Sequence, residues 1–203
     1  MLTRKQHELF SLFAEDVFNE YSFTELKERS GERSHSLLQR ALRRFQDEGL
    51  VAERAVGPTK LYSLNLDSEA VNAYLALYAN DRIKKISPVL SLLQQEIEKV
   101  TLFYSLVVFG SYAEGTQRAG SDVDVAVILQ DKVHKVKAAV NRVRDRSLIG
   151  LDAHVITSGD FLAMLLADYE NLGKEIARKN LPVVNNSIFY KLVRKGRSHG
   201  FTG

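Results

Sequence analysis

Apolar residues recur at Leu9, Phe10, Leu12, Phe13, Val17 and Phe18, a spacing that predicts a helix over residues 4–18. Phe23-Thr24-Glu25-Leu26 opens a short second helix with Ser22 or Thr24 as its cap, and Gly31 stops it. A third helix starts at Ser34 or Ser36, turns Leu37, Leu38, Ala41, Leu42 and Phe45 inward, and ends at Gly49. Residues 50–56 and 61–65 read as two strands around the turn Gly57-Pro58-Thr59-Lys60. Helical period returns over 67–99, with Val71, Tyr74, Leu75, Leu77 and Tyr78 on one face. Within that stretch Ser87-Pro88 begins a new helix whose inner face is Val89, Leu92, Leu93 and Ile97.

The pattern changes near residue 100. A short apolar run over 102–109 ends in Gly110-Ser111, and a second run covers 123–129. Residues 132–146 are helical, with Val133, Val136, Val140 and Val143 inside, and 151–156 form a third strand. Residues 161–166 and those from 176 onward read as helices. Strands alternating with helices predict a mixed α/β (α+β) domain with a small sheet flanked by helices. The expected organisation is a first module over 1–66, a helical connector over 67–99 and a second module over 100–203. The tail from 194 onward is basic and contains glycine, so it is expected to be mobile.

Composition narrows the classes. The chain has 203 residues, 45% hydrophobic and 26% charged, values that argue for folded domains rather than disorder. No apolar run approaches the ~20 residues that span a bilayer, so no membrane partner is expected. The opening MLTRKQHELF lacks the apolar stretch of a secretory leader. Cysteine is absent, which excludes disulfides, thiolate metal sites and a cysteine nucleophile. These readings point to a cytoplasmic protein.

Net charge is +3, which by itself speaks against nucleic acid, but the total conceals its distribution. Residues 1–65 hold 10 basic and 10 acidic side chains, residues 66–129 hold 5 and 8, and residues 130–203 hold 13 and 7. Within the first module, three helices and a hairpin in 65 residues resemble a winged helix-turn-helix domain. Such domains lay the third helix in the DNA major groove. That helix would present Arg33, Ser34, His35, Ser36, Gln39, Arg40, Arg43 and Arg44, and the hairpin would add Arg54, Thr59 and Lys60. Arginine, glutamine and serine reach base edges, and arginine and lysine neutralise phosphates. The candidate interface for double-stranded DNA is therefore Ser34, His35, Ser36, Gln39, Arg40, Arg43, Arg44 and Lys60. A dimerisation or protein-contact role for the module, with a homodimer as one outcome, stays open beside it.

The second module carries more specific chemistry. Gly110-Ser111 follows a strand, where a glycine lets backbone N–H groups approach an anion and the serine hydroxyl can donate to a phosphate oxygen. Gly115 allows a second close approach. Asp122 and Asp124 stand two apart on a strand, so they point the same way, about 6.6 Å apart along the chain. Converging carboxylates repel unless a cation joins them, and hard oxygen ligands suit magnesium. Asp152 opens the next strand run and can complete the cluster if that strand lies alongside at about 4.8 Å.

Gly110-Ser111, Gly115 and Ser121-Asp122-Val123-Asp124 together match, in type and spacing, the signature of the minimal nucleotidyltransferases of the DNA polymerase beta-like superfamily. The resemblance covers roughly residues 100–195. It implies transfer of a nucleoside monophosphate from a nucleoside triphosphate, with ATP as the first candidate. It further implies that Gly110, Ser111, Gly115 and Ser121 bind the nucleotide. Asp122, Asp124 and Asp152 would be the catalytic and metal-holding carboxylates for Mg2+ or Mn2+, Asp152 also serving as base. A protein hydroxyl is one implied acceptor; small molecules and nucleic acids are others. Glu114 stands where the family often has arginine, and an acid beside a phosphate cradle weakens triphosphate binding; Arg118 on the same loop would compensate. This departure keeps a second reading open: a DNA-binding regulator whose nucleotidyltransferase domain binds nucleotide without turnover. His154, two residues after Asp152, is read as a satisfied strand histidine, and the basic residues of 132–146 as a solvated face. The stretch 171–179 resembles the family's C-terminal helix, with Lys174 as a candidate phosphate contact.

Overall fold

A computed structural model describes residues 2–202. The chain divides into two compact units, Met1–Tyr78 and Ala79–Gly203, each with its own core. No helix among the described residues is long and apolar enough to cross a membrane.

The first unit contains α1 (Arg4–Glu15), β1 (Tyr21–Ser22), α2 (Phe23–Ser30), α3 (His35–Asp47), β2 (Val51–Val56), β3 (Thr59–Leu64) and most of α4 (Glu69–Arg82). Reciprocal side-chain caps start two of these helices. Thr3 pairs with Gln6 at α1, and Ser22 with Glu25 at α2, each satisfying otherwise orphaned backbone donors. Ser34 caps α3 by accepting from the Leu37 N–H. The apolar stripes then close on one another: Leu9, Phe10, Phe13, Tyr21, Leu26, Leu38, Leu42, Phe45 and Leu50 are buried. Phe13 meets Tyr21 edge-on at 5.5 Å, a favoured aromatic geometry. The three strands pair antiparallel in the order β1-β3-β2. The hairpin is tighter than expected. Val56 pairs with Thr59, so the turn is Gly57-Pro58 alone, and Thr59 and Lys60 belong to the strand.

The second unit contains α5 (Ser87–Glu98), β4 (Tyr104–Phe109), α6 (Gly110–Glu114), β5 (Val123–Leu129), α7 (Val133–Arg144), β6 (Leu151–Thr157), α8 (Ser158–Leu166), α9 (Leu172–Arg178), β7 (Asn180–Val184) and α10 (Asn186–Ser198). Its sheet runs β6-β5-β4-β7. β5 and β6 are parallel and joined through α7, while β4 pairs antiparallel with both β5 and β7. All six residues of β4 are buried, consistent with a strand covered on both faces. The result is a mixed α+β architecture. Residues 67–99 do not form a separate body: the division at 78/79 falls within α4, and α5 packs against α7 in the second unit.

Two features differ from the sequence reading. Residues 180–184 form β7 rather than continuing a helix. Pro182 cannot donate to a ladder, so it suits an edge strand, and a register shift occurs opposite it between Leu106 and Val107. The tail is also ordered further than expected. α10 buries Phe189, Tyr190 and Val193, and Phe201 beyond it is buried too. Gly196 is the point where α10 meets α8; a Cβ there would stand 2.7 Å from Leu165 Cδ1.

Candidate active site

The site is built where β4, β5 and β6 meet α6 and α9. β4 runs into α6 through Gly110, whose φ of +62° lies in the left-handed region. A Cβ on Gly110 would collide with the Asp124 carboxylate, so the strand-to-helix turn lies directly against that acid. The two ends of the signature, separated by 14 positions, are thus in contact. α6 ends at Gly115, also left-handed at φ +76°, whose N–H returns to the Ser111 carbonyl. Among the described residues the Ser111 hydroxyl has no hydrogen-bond partner, while its carbonyl accepts from Thr116 N at 3.0 Å.

The loop into β5 is held by Ser121. Its hydroxyl accepts from the Arg118 backbone N–H at 3.0 Å, its own N–H donates to the Arg118 carbonyl, and the Tyr112 hydroxyl donates to its carbonyl at 3.4 Å. Ser121 therefore shapes the loop that aims Asp122. Gly150 opposes Asp122 so closely that any side chain there would overlap the carboxylate, and Val123 N donates to the Gly150 carbonyl at 2.8 Å. The parallel register then sets Asp124 directly beside Asp152.

Asp124 is half-buried, and its carboxyl is held above the ordinary aspartate range. Burial is the main cause, followed by the negative charges of Asp152, Glu175 and Asp122, with His154 opposing them. His154 Nε2 lies 3.4 Å from Asp152 Oδ2, and its ring stands 6.0 Å from that of Phe109. The strand histidine thus stands beside Asp152. Glu175, from α9, is an acid the signature did not contain. Glu114 is ion-paired with Lys179, the residue after α9, so the acid beside Gly110-Ser111 carries its own counter-charge. Arg118 remains exposed on the loop. Lys174 lies near Glu170, Arg178 and His199 in a separate polar cavity of about 220 Å³, which contains none of the signature residues.

The donor chemistry fits a divalent cation: three carboxylates, one of them raised in pKa by burial and then by its acidic neighbours, form a patch whose repulsion a hard cation would relieve. Among the described residues, no group of three or more is drawn together as a finished metal site. The donors are therefore suited in type but not preassembled.

The family model for the nucleotidyltransferase domain matches residues 83–193, more than half of the chain. The chain belongs to this family. A comparison with curated proteins returns no match. Among solved structures it is similar to TrmBL2, described as an archaeal chromatin protein with a novel mode of DNA binding, at 12% identity. That alignment covers 98% of this chain and 92% of the other, but its TM-score of 0.29 is too low to bear on fold or function.

The residues matched by the nucleotidyltransferase model lie within the second unit, and the basic face read from the sequence lies on the first. There the structure separates the eight candidate residues. His35, Gln39, Arg43 and Lys60 line one groove of about 510 Å³ between α3 and the hairpin, together with Gln46, Pro58 and Thr59. Arg40 lies elsewhere, beside Leu37 and Ala41 on the α1 side of α3. Ser34 is occupied as the α3 cap, and Ser36 Oγ stands 3.2 Å from Ser34 Oγ. Arg44 pairs with Glu48 at 2.8 Å, and Lys60 with Glu53 at 2.7 Å. His35 packs on the Phe23 ring at 4.4 Å.

Proposed function

We propose that this nucleotidyltransferase transfers a nucleoside monophosphate, with ATP assigned as donor, to an acceptor hydroxyl in a metal-dependent reaction. The observation that carries the reading is the contact of Gly110 with Asp124, whose register partner is Asp152. It joins a backbone turn able to approach phosphate to the acids that would govern the reacting end.

Gly110 lets the triphosphate approach the backbone, and the Ser111 hydroxyl donates to a phosphate oxygen. Gly115 keeps the far side of the turn open, and Ser121 fixes the loop that presents Asp122. Asp122, Asp124 and Asp152 would hold Mg2+ or Mn2+, which supplies charge neutralisation on the triphosphate and lowers the pKa of a bound hydroxyl. The acceptor oxygen forms a bond to the α-phosphorus, and the α–β bridging bond breaks to release pyrophosphate. Asp152 takes the hydroxyl proton, and His154 beside it steadies the carboxylate. Positioning and charge neutralisation account for most of the rate in phosphoryl chemistry of this kind. The ion pair of Glu114 with Lys179 supports turnover over nucleotide binding alone, because it gives the acid beside the phosphate cradle a counter-charge.

The first unit, in our reading, is a winged helix-turn-helix that binds double-stranded DNA through the α3–hairpin groove and brings the transferase to its target. Its element order and the cluster of His35, Gln39, Arg43 and Lys60 support this.

The deciding experiment incubates the chain with Mg2+ or Mn2+ and each α-labelled triphosphate, offering protein, RNA and small hydroxyl acceptors. Label on an acceptor that disappears in Asp122→Ala and Asp124→Ala supports the reading. Label that persists in those variants, or none with any triphosphate, overturns it. For the first unit, a random-duplex selection at low salt should enrich a sequence whose binding weakens as salt rises.

A further inference from the structure

We propose that Arg82 is a positioning residue of the nucleotide site, holding α6 and the Gly115 turn where they meet the triphosphate. The proposal rests on the nucleotidyl-transfer reading above.

Arg82 closes α4 and stands one residue before the span matched by the family model. Nothing in the signature contains it. Its Nη2 nonetheless donates to the Ala113 carbonyl at 3.2 Å. The same nitrogen lies 3.0 Å from where a Cβ on Gly115 would sit. Both contacts lie within the second unit.

The reason such an anchor matters is the length of α6. It has five residues and buries none of them, far short of the ~12–15 residues at which a helix begins to hold itself. Its place must come from tertiary contacts. At its start, Gly110 lies against Asp124. At its end, the last carbonyls lack helical partners, and a guanidinium there satisfies one of them and complements the negative helix end. Arg82 supplies that contact at Ala113, and Lys179 holds the next residue, Glu114, by an ion pair. With both ends pinned, the Ser111 hydroxyl and the Gly110 backbone are fixed relative to the carboxylates. If Arg82 is removed, the far end of the turn is released and the phosphate-facing groups lose their alignment.

The test uses the full chain and three variants: Arg82→Ala, Arg82→Lys and, as a control for an exposed cation nearby, Lys84→Ala. Two quantities are read. One is hydrogen exchange of the amides of residues 113–116 in the nucleotide-free protein. The other is the Kd for each of the four Mg-nucleoside triphosphates. Expected are faster exchange at 113–116 and about tenfold weaker triphosphate binding in Arg82→Ala, the size of one lost charge-assisted hydrogen bond, with Arg82→Lys in between and Lys84→Ala unchanged. A wild-type chain that does bind triphosphate but no better than Arg82→Ala, unaltered exchange at 113–116, or an equal loss in Lys84→Ala overturns the assignment of Arg82 alone. A wild-type chain that binds none of the four overturns it together with the transfer reading.

Discussion

The contact between Gly110 and Asp124 can be isolated by two alanine substitutions in the same unit. Gly110 and Gly120 both have positive φ, +62° and +84°. Placing a Cβ in the left-handed region costs about 1–2 kcal/mol at either position. The surroundings differ. Nothing lies within 4 Å of a Cβ on Gly120, whereas one on Gly110 overlaps the Asp124 carboxylate and stands 3.2 Å from its Cγ. Gly120→Ala therefore reports backbone strain alone, and Gly110→Ala reports the same strain plus displacement of the acid. In a unit of this size, ~1 kcal/mol lowers Tm by roughly 4 °C, so both variants should melt a few degrees early. Their chemistry should separate. Displacing a positioned group by ~1 Å can cost about 10²-fold in rate. Label transfer from ATP should thus fall about a hundredfold in Gly110→Ala and change little in Gly120→Ala. Thermal unfolding followed by dichroism, together with initial rates of transfer, measures both quantities. Equal activity in the two variants would refute the claim that Gly110 is needed for its closeness to Asp124.

Three further outcomes follow from the same geometry. Asp124 has a raised pKa, so folding is favoured while it is protonated, and that contribution is lost as pH rises from the ordinary aspartate range through its elevated folded value. Asp124→Asn should accordingly melt higher than the wild type at neutral pH without metal, with the gap closing in acid; a lower Tm at neutral pH contradicts the account, and Mg2+ should stabilise only the wild type. Lys179→Ala leaves Glu114 uncompensated near Ser111. It should weaken triphosphate binding about three- to tenfold while lowering Tm by no more than roughly 4 °C, as an exposed ion pair contributes ~1 kcal/mol at most, and Glu114→Gln in the same chain should restore binding. On the first unit, Arg43→Ala should cost about 1–3 kcal/mol against a selected duplex if Arg43 reads a base, whereas Lys60→Ala should lower the salt slope by about one. Arg40→Ala, on the other side of α3, should change neither.

The early elements were legible because local rules agreed with the tertiary outcome. Ser22 and Ser34 stand at the caps, the apolar stripes of α1 and α3 face the core except at Leu37, which is exposed because it sits at the edge of the α3 stripe, and β5 begins and ends where the apolar run over 123–129 does. The end of the chain was less readable. Asn180-Leu-Pro-Val-Val has weak local preference and becomes a strand because β4 offers it an open edge. The basic composition of residues 194–203 suggested mobility, yet Gly196 and Phe201 are buried by packing that the charges beside them hide.

The candidate site divides along the same line. Gly110, Ser111, Gly115, Ser121, Asp122 and Asp124 lie within one continuous segment running from the end of β4 through α6 into β5, so spacing along the chain is carried directly into space. Asp152 was reachable from that segment because two neighbouring strands align their acids in register. Glu175, Lys179 and Arg82 were not, since each arrives from an element whose place depends on the folded core. The electrostatic balance of the site rests on these distant residues. Glu175 adds to the charge that, after burial, raises Asp124, and Lys179 is ion-paired with Glu114, the acid that departs from the family pattern. A substitution that looks disabling within the signature can therefore be offset by a residue 65 positions away. The signature specifies which atoms would meet the nucleotide, while the charge those atoms experience is set by helices that the signature does not contain.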